Sequence, residues 1–287
     1  MAIAFGNVEG TDFVKAKSTT TTTSLSVNIS ALSSGNTGKL LVAVFYHAGN
    51  SGLFSEPAGW TVANNTTAAN GGLAIFWRVC TGDETTVAAG RATAVYTQAQ
   101  VYVISGADTT TPINTYLLAT RSGGVSWASP VITTTVDGCL IFQGGGATGV
   151  SDWATNDEPT GTTLIAQESN TAAWFGMAFE SQTSAGTLGT RTWDNNSNAK
   201  YAVSFAIAPS TGGAGLTITS VTPSTFDSGV EGIVIAGTGF GASQGSSTVT
   251  IGSTAQTVTA WSDTSITFTS VRGSESMGAG TLTVTKV

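Results

Sequence analysis

Residues 216–241, LTITSVTPSTFDSGVEGIVIAGTGFG, constrain this chain more tightly than any other stretch. A short alternating β-run stops at Pro223, which has no N–H to give to a ladder and so closes a strand. A Ser/Thr/Asp/Gly turn follows, and then a second β-run, GIVIAG, in which Ile233 and Ile235 fall on one face because strand side chains alternate. Phe240, bracketed by Gly239 and Gly241, places a large ring at a corner. Gly229, Gly232, Gly237, Gly239 and Gly241 are expected to supply positive φ where the backbone turns sharply. The pattern is strand, turn, strand, corner.

Three more alternating runs complete it: STVTIG with Val249 and Ile251 inward, AWSDTSITFTSV with Ile266 and Phe268 inward, and TLTVTKV with Leu282 and Val284 inward. The intervening Thr and Ser face water, as in half-buried antiparallel strands. On these residues, with ITSVTP and GIVIAGTGF at its start, the segment 216–287 resembles an IPT/TIG domain. The resemblance implies an immunoglobulin-like β-sandwich used as a spacer or interaction module, and it specifies fold far more than function.

Of the 287 residues, 40% are hydrophobic and only 9% are charged, with 36 glycines and abundant Thr. Helix-forming charged residues are scarce and no amphipathic helical stretch is present, so the expected class is all-β. A net charge of −7 with no basic stripe argues against nucleic acid and against anionic membrane surfaces. No apolar run approaches the roughly 20 residues that span a bilayer. The opening MAIAFGNVEG lacks a basic n-region and an apolar h-region, so no Sec-type signal is expected.

From Gly38 the chain repeats its pattern about one hundred residues on. GKLLVAVFYHAGN matches DGCLIFQGGGATG, PAGWTVANNTTAANGGLAIFWRV matches PTGTTLIAQESNTAAWFGMAFES, and ATAVYTQAQVYVISGAD matches NAKYAVSFAIAPS, all in one order. One copy of three to four strands cannot bury its apolar face alone, so the two copies are expected to pack as the sheets of one pseudo-symmetric sandwich over 1–209. Residues 210–215 read as a Gly-rich linker. Before the repeat, Phe13–Lys17, the run STTTTTS and LSVNIS read as a flexible arm and an opening strand, with Leu25, Val27 and Ile29 on one face.

The runs GKLLVAVFYHAG, PAGWTV, GLAIFWRV and VYVISGADTTTPI are similar to a jelly-roll-type module of tailed-bacteriophage structural proteins. The fold class that follows is a jelly-roll-like β-sandwich ahead of the immunoglobulin-like one. The resemblance implies a non-enzymatic protein on a virion surface, as head decoration, head fibre or tail-appendage component, made in the host cytoplasm. It also implies other virion proteins as partners and a homo-oligomer. The aromatic-rich sandwich and its Thr-rich arm are expected to dock, and the C-terminal domain to project. The alternative is a glycan-binding adhesin or lectin-like module recognising host-surface sugar, and a polysaccharide-cleaving enzyme is the weakest of the three.

Chemistry-bearing residues are few. His47, the single histidine, ends an apolar strand and reads as a satisfied or solvent-tipped side chain, because a triad would need a carboxylate beside it. Asp83-Glu84 and Asp157-Glu158 lie in turn-like contexts and read as solvated loop charges in preference to a glycosidase pair. Asp194, Asn196 and Asn198 imitate the opening of a calcium loop, but Ala199 and Phe205 occupy the glycine and glutamate positions. Gly144-Gly145-Gly146 lacks the GK[ST] of a phosphate loop. Cys80 and Cys139 flank apolar runs, as two buried thiols or as one disulfide formed outside a reducing cytoplasm. No catalytic residue, cofactor or metal is expected.

Trp60, Trp77 and Trp174 read as core. Trp153 and Trp193 sit in polar surroundings, where a ring could stack on a sugar or a neighbouring subunit, or fold back over its own loop.

Overall fold

The computed structural model describes residues 3–68, 71–120, 126–148, 159–169, 173–194, 199–210, 217–240, 243–271 and 281–285. Two compact units are present, Ile3–Pro209 and Ser210–Val287. Both are nearly all β.

In the first unit the strands are β1 (Phe13–Lys17), β2 (Thr22–Asn28), β3 (Leu40–Ala48), β4 (Thr61–Ala68), β5 (Gly71–Val79), β6 (Thr86–Val95) and β7 (Thr97–Ile104). They continue as β8 (Ile113–Thr120), β9 (Ser126–Ala128), β10 (Thr133–Thr134), β11 (Cys139–Thr148), β12 (Thr163–Ser169), β13 (Ala173–Gln182), β14 (Gly186–Thr187), β15 (Thr192–Asp194) and β16 (Ala199–Ile207). One helical turn, α1 (Ser30–Ser33), interrupts them.

The repeat organises these strands. One five-stranded sheet has the order β1-β7-β3-β5-β4 and the other β8-β16-β11-β13-β12, which is the same path taken twice. One irregularity agrees as well, since β4 bulges between Val62 and Asn64 where β12 bulges between Leu164 and Ala166. The two sheets face each other with β1 over β12, β7 over β13, β3 over β11 and β5 over β16. Leu40, Val42, Val44 and Tyr46 of β3 meet Phe142, Phe175, Val203 and Phe205 across this interior. Phe142 stacks on Phe205 at 5.1 Å, and Tyr46 on Phe175 at 5.9 Å.

The unit is thicker than a two-sheet sandwich, because both outer faces are covered as well. Ribbon β2-β6 lies over the first sheet, burying Leu25, Val27, Ile29 and Val87 against Leu41, Phe45, Phe76 and Val101. Ribbons β9-β15 and β10-β14 cover the second sheet. Each copy therefore brings its own lid, and the repeat extends beyond the three to four strands that its sequence displays. Burial on both faces is the reason β3 reads LLVAVFYHA without alternation, as strands enclosed on two sides do.

Gly144-Gly145-Gly146 lies inside central strand β11, where glycine is ordinarily unfavourable. A Cβ on Gly146 would enter the Tyr46 ring, and one on Gly145 would strike the Tyr201 carbonyl oxygen and lie 3.0 Å from the Trp127 indole. The glycines make room for rings on both faces of the strand. Gly146→Ala is expected to destabilise the unit by about 1–3 kcal/mol through overpacking. Combining it with Tyr46→Leu should recover part of that loss in urea denaturation, whereas strictly additive losses would show that the ring is not the obstacle.

The first thirty residues are not a detachable arm. β1 is an edge of the first sheet, Ala4 bridges Ser105, and the Phe5 ring packs on Tyr102, Phe142 and Phe179 at 5.8, 5.6 and 5.1 Å. Lys15 and Lys17 reach Glu168 on β12 at 3.0 and 3.1 Å. The docking arm expected from the Thr-rich composition is thus part of the fold, drawn in by its apolar residues.

In the second unit the strands are β17 (Thr217–Thr222), β18 (Ile233–Thr238), β19 (Thr248–Ile251), β20 (Thr254–Ala255), β21 (Thr257–Trp261), β22 (Ser265–Thr269) and β23 (Leu282–Thr285). Sheets β17-β18-β22-β21 and β20-β19-β23 enclose Ile233, Ile235, Phe240, Val249, Ile266, Phe268 and Val284. Ile251 and Leu282 pack at its margin. Gly229, Gly232 and Gly239 do have positive φ, at 82°, 71° and 79°. Gly237 has another reason: a Cβ there would strike the Phe240 ring and the Thr217 carbonyl. Gly241 lies outside the described residues.

Candidate functional site

Trp193 was the described residue most open to a ligand role, and the structure places it in the interior. It is fully buried, stacked on Trp127 at 5.3 Å with 2° between the planes, and edge-on to Trp174 at 6.1 Å. Its Nε1 donates to Ser129 Oγ at 3.1 Å. The pairing is fixed by register, since Trp193 of β15 stands directly opposite Trp127 of β9. Ala147, Ala178 and Ala202 on the sheet beneath are small enough to receive the rings. An exposed stacking platform is therefore not what Trp193 provides. The flanking Thr192 and Asp194 made the segment look polar, but a three-residue strand needs only one inward residue. The usable signal was the run of small residues in β11, which called for large partners elsewhere. Trp153 lies outside the described residues.

Glu84 is not a solvated loop charge either. Its side chain is buried, and Oε1 accepts the Thr81 N–H at 2.7 Å and the Thr81 hydroxyl at 2.8 Å. Oε2 accepts the Gly82 N–H at 3.1 Å and the Cys80 thiol at 3.3 Å, and Arg78 approaches Oε1 to 3.1 Å. Burial pushes this carboxyl up, but the hydrogen bonds from Thr81 and Cys80 outweigh it and bring it down to about 2. The group is a turn lock. Asp157 and Glu158 lie outside the described residues.

Glu84→Gln is expected to destabilise the N-terminal unit by about 2–3 kcal/mol near neutral pH, because an ionised acceptor of several hydrogen bonds is replaced by a neutral one. A carboxyl lowered by folding contributes stability above its unfolded value of 4.5 and loses it as pH falls towards about 2. The gap between wild type and variant in urea denaturation should close over that window. A gap that stays constant from neutral pH downward would show that Glu84 is not held ionised.

His47 is buried in β3, with Nε2 at 3.0 Å from the Gly52 carbonyl oxygen and its ring edge-on to Phe54 at 5.1 Å. Burial, reinforced by the neighbouring Arg91 charge, lowers it to about 4. Among the described residues no carboxylate is placed to orient it as a base. Ser51 Oγ is committed to the Thr93 carbonyl at 2.5 Å. Arg91 stacks over Phe54 and donates to the Thr22 carbonyl at 2.7 Å. Cys80 and Cys139 are buried free thiols, and burial, with Asp137 nearby, raises Cys139 to about 11. Neither is an activated nucleophile.

Gly144-Gly145-Gly146 is strand interior, and Asn196 and Asn198 lie outside the described residues. Among the described residues no group of three His, Cys, Asp or Glu side chains could hold a metal ion, and no helix is long and apolar enough to cross a membrane.

The second unit carries the decisive family observation. Its two sheets enclose the Phe240 plug, and residues 216–286 match the family described as IPT/TIG domain. Residues 216–286 are an IPT/TIG domain. The IPT/TIG domain is a non-catalytic immunoglobulin-like fold, and two of its polar side chains here tie its own loops. Trp261 Nε1 donates to the Phe240 carbonyl at 3.1 Å, and Ser270 Oγ donates to the Asp227 carbonyl at 2.5 Å. No curated protein and no solved structure matches the chain.

Proposed function

We propose that this chain is a non-enzymatic structural protein on the surface of a tailed-phage particle, serving as a head decoration, head fibre or tail-appendage component. The observation that carries the reading is the burial of five candidate side chains among the described residues. His47, Glu84, Cys80, Cys139 and Trp193 all close the core or cap the backbone, leaving a rigid duplicated β-unit followed by an IPT/TIG module. The phage-like runs of the N-terminal half supply the particle.

The N-terminal unit is the docking part on this proposal. The reason differs from the sequence expectation, because the aromatic residues are mostly interior. Among the described residues the exposed large apolar side chains are Val8, Leu53, Val62, Tyr116, Leu117 and Val131 in that unit and Val271 in the IPT/TIG domain. The glycan-binding alternative loses Trp193 as a platform. Negative-stain microscopy of particles carrying a tag on this protein tests the reading. Labelling over the shell or on the tail is expected, and a protein missing from purified particles would overturn it.

A further inference from the structure

The two copies of the repeat finish their edges differently. Sheet registers fix the equivalence: Leu40 pairs with Ile104 as Leu140 pairs with Ile207, so β7 corresponds to β16. Phe13 opposite Tyr102 then corresponds to Tyr116 opposite Phe205, Val14 to Leu117, Lys15 to Leu118 and Lys17 to Thr120.

The β1 edge is guarded. Phe13 is buried under Phe5, and Lys15 and Lys17 bind Glu168 of the facing strand β12. The β12 edge is guarded too, since its Leu164, Ala166 and Ser169 carbonyls accept hydrogen bonds from Asn7, Gln100 and Lys17. Lysines and bulges on an edge are devices that prevent strands from adding to it.

The β8 edge bulges at Asn114, whose amide is bound to Thr135, but from Thr115 to Thr120 it carries no lysine to guard it. Its sequence INTYLLAT holds no charge, no proline and no glycine. The position equivalent to Glu168 on β4 is Thr66, by the shared bulge register, so no ion pair spans this side. Tyr116 and Leu117 are 43% and 46% exposed, and they point to opposite faces of the strand. β8 pairs with β16 on one side, and among the described residues no strand pairs with its other side.

We propose that β8 is the seam of a homodimer, in which two copies of the chain pair their β8 strands antiparallel about a two-fold axis and join two five-stranded sheets into one. Charge selects the occupant. A two-fold axis sets residues beside it against their own counterparts and the others against residues of the same uncharged strand, so a charge near the axis would meet its like; β8 has none, while the chain as a whole carries −7. An uncharged edge is the place where two such acidic chains meet with least repulsion. The pairing would also give the exposed Tyr116 and Leu117 cross-strand neighbours on both faces. This goes beyond the virion reading and does not depend on it.

Sedimentation of the full chain is the test. Twice the 28.9 kDa chain mass is expected for wild type and for the control Val62→Lys, with loss of the dimer in Leu117→Lys at unchanged circular dichroism. A wild-type monomer at every concentration, or a dimer that a folded Leu117→Lys leaves intact, would overturn the proposal. Should Leu117→Lys not fold, hydrogen exchange on wild type decides. Protection of the amides of 113–120 that rises with protein concentration supports the seam, and exchange independent of concentration refutes it.

Discussion

Trp193→Ala is expected to lower the stability of the N-terminal unit by about 3–5 kcal/mol, the range for removing a buried aromatic side chain. The ring is held by Trp127 on its face, by Trp174 at its edge and by Ser129 at its nitrogen. Directly beneath the ring the sheet offers the alanines Ala147, Ala178 and Ala202, which are too short to fill the space. The cavity contribution should therefore be near the upper end of that range. Trp193→Phe should cost less, since an aromatic face remains for Trp127. Urea denaturation followed by circular dichroism measures both. A loss of under about 1 kcal/mol for the alanine variant would mean that the ring lies at the surface, since surface changes usually stay within about half that.

The strands of the IPT/TIG domain were legible because each buries one face only. Val249, Ile266, Phe268 and Val284 alternate with Thr and Ser, Ile233 and Ile235 alternate with the less buried Val234 and Ala236, and all six are buried. In the N-terminal unit the same test fails at β3 and β11, where both faces are covered and alternation disappears. There the repeat carried the information instead. It revealed the central strands, whose apolar runs are long, but not β9, β10, β14 and β15, which have two or three residues each. Such short ribbons hold too few inward positions to produce a period.

Polar residues were the least legible, for a different physical reason. Whether a carboxylate in a turn is solvated or locked depends on which N–H groups the turn aims at it. Asp83 and Glu84 are adjacent and similar in sequence context, yet Asp83 is exposed and Glu84 is buried. Trp193 was left open between exposure and a fold-back on the same ground, as polar neighbours say nothing about the face opposite. The Thr-rich opening segment was misjudged because composition suggested a linker while Phe5, Phe13, Leu25, Val27 and Ile29 were spaced to seal two layers of core.

Phe240→Ala is expected to unfold the IPT/TIG domain and leave the N-terminal unit standing. The ring is fully buried, with Trp261 edge-on at 6.3 Å and Phe268, Ile235 and Val249 in the same core. Gly237 lacks a Cβ where the ring sits, so the backbone is cut to fit this side chain. The segment that carries Phe240 is tied at both polar groups, its N–H to the Asp263 carbonyl at 3.1 Å and its carbonyl to Trp261 Nε1 at 3.1 Å. Losing the ring removes about 3–5 kcal/mol. A domain of some seventy residues has roughly 4–10 kcal/mol in all, so the variant has little or nothing left. The N-terminal unit has its own core and shares none of these residues. Calorimetry of the full chain should therefore show two transitions in wild type, with the smaller one displaced far downward or missing in Phe240→Ala and the larger one unmoved. If the isolated 216–287 segment carrying Phe240→Ala melts within a few degrees of wild type, the ring does not plug the core. If instead both transitions move together, the two units do not unfold separately.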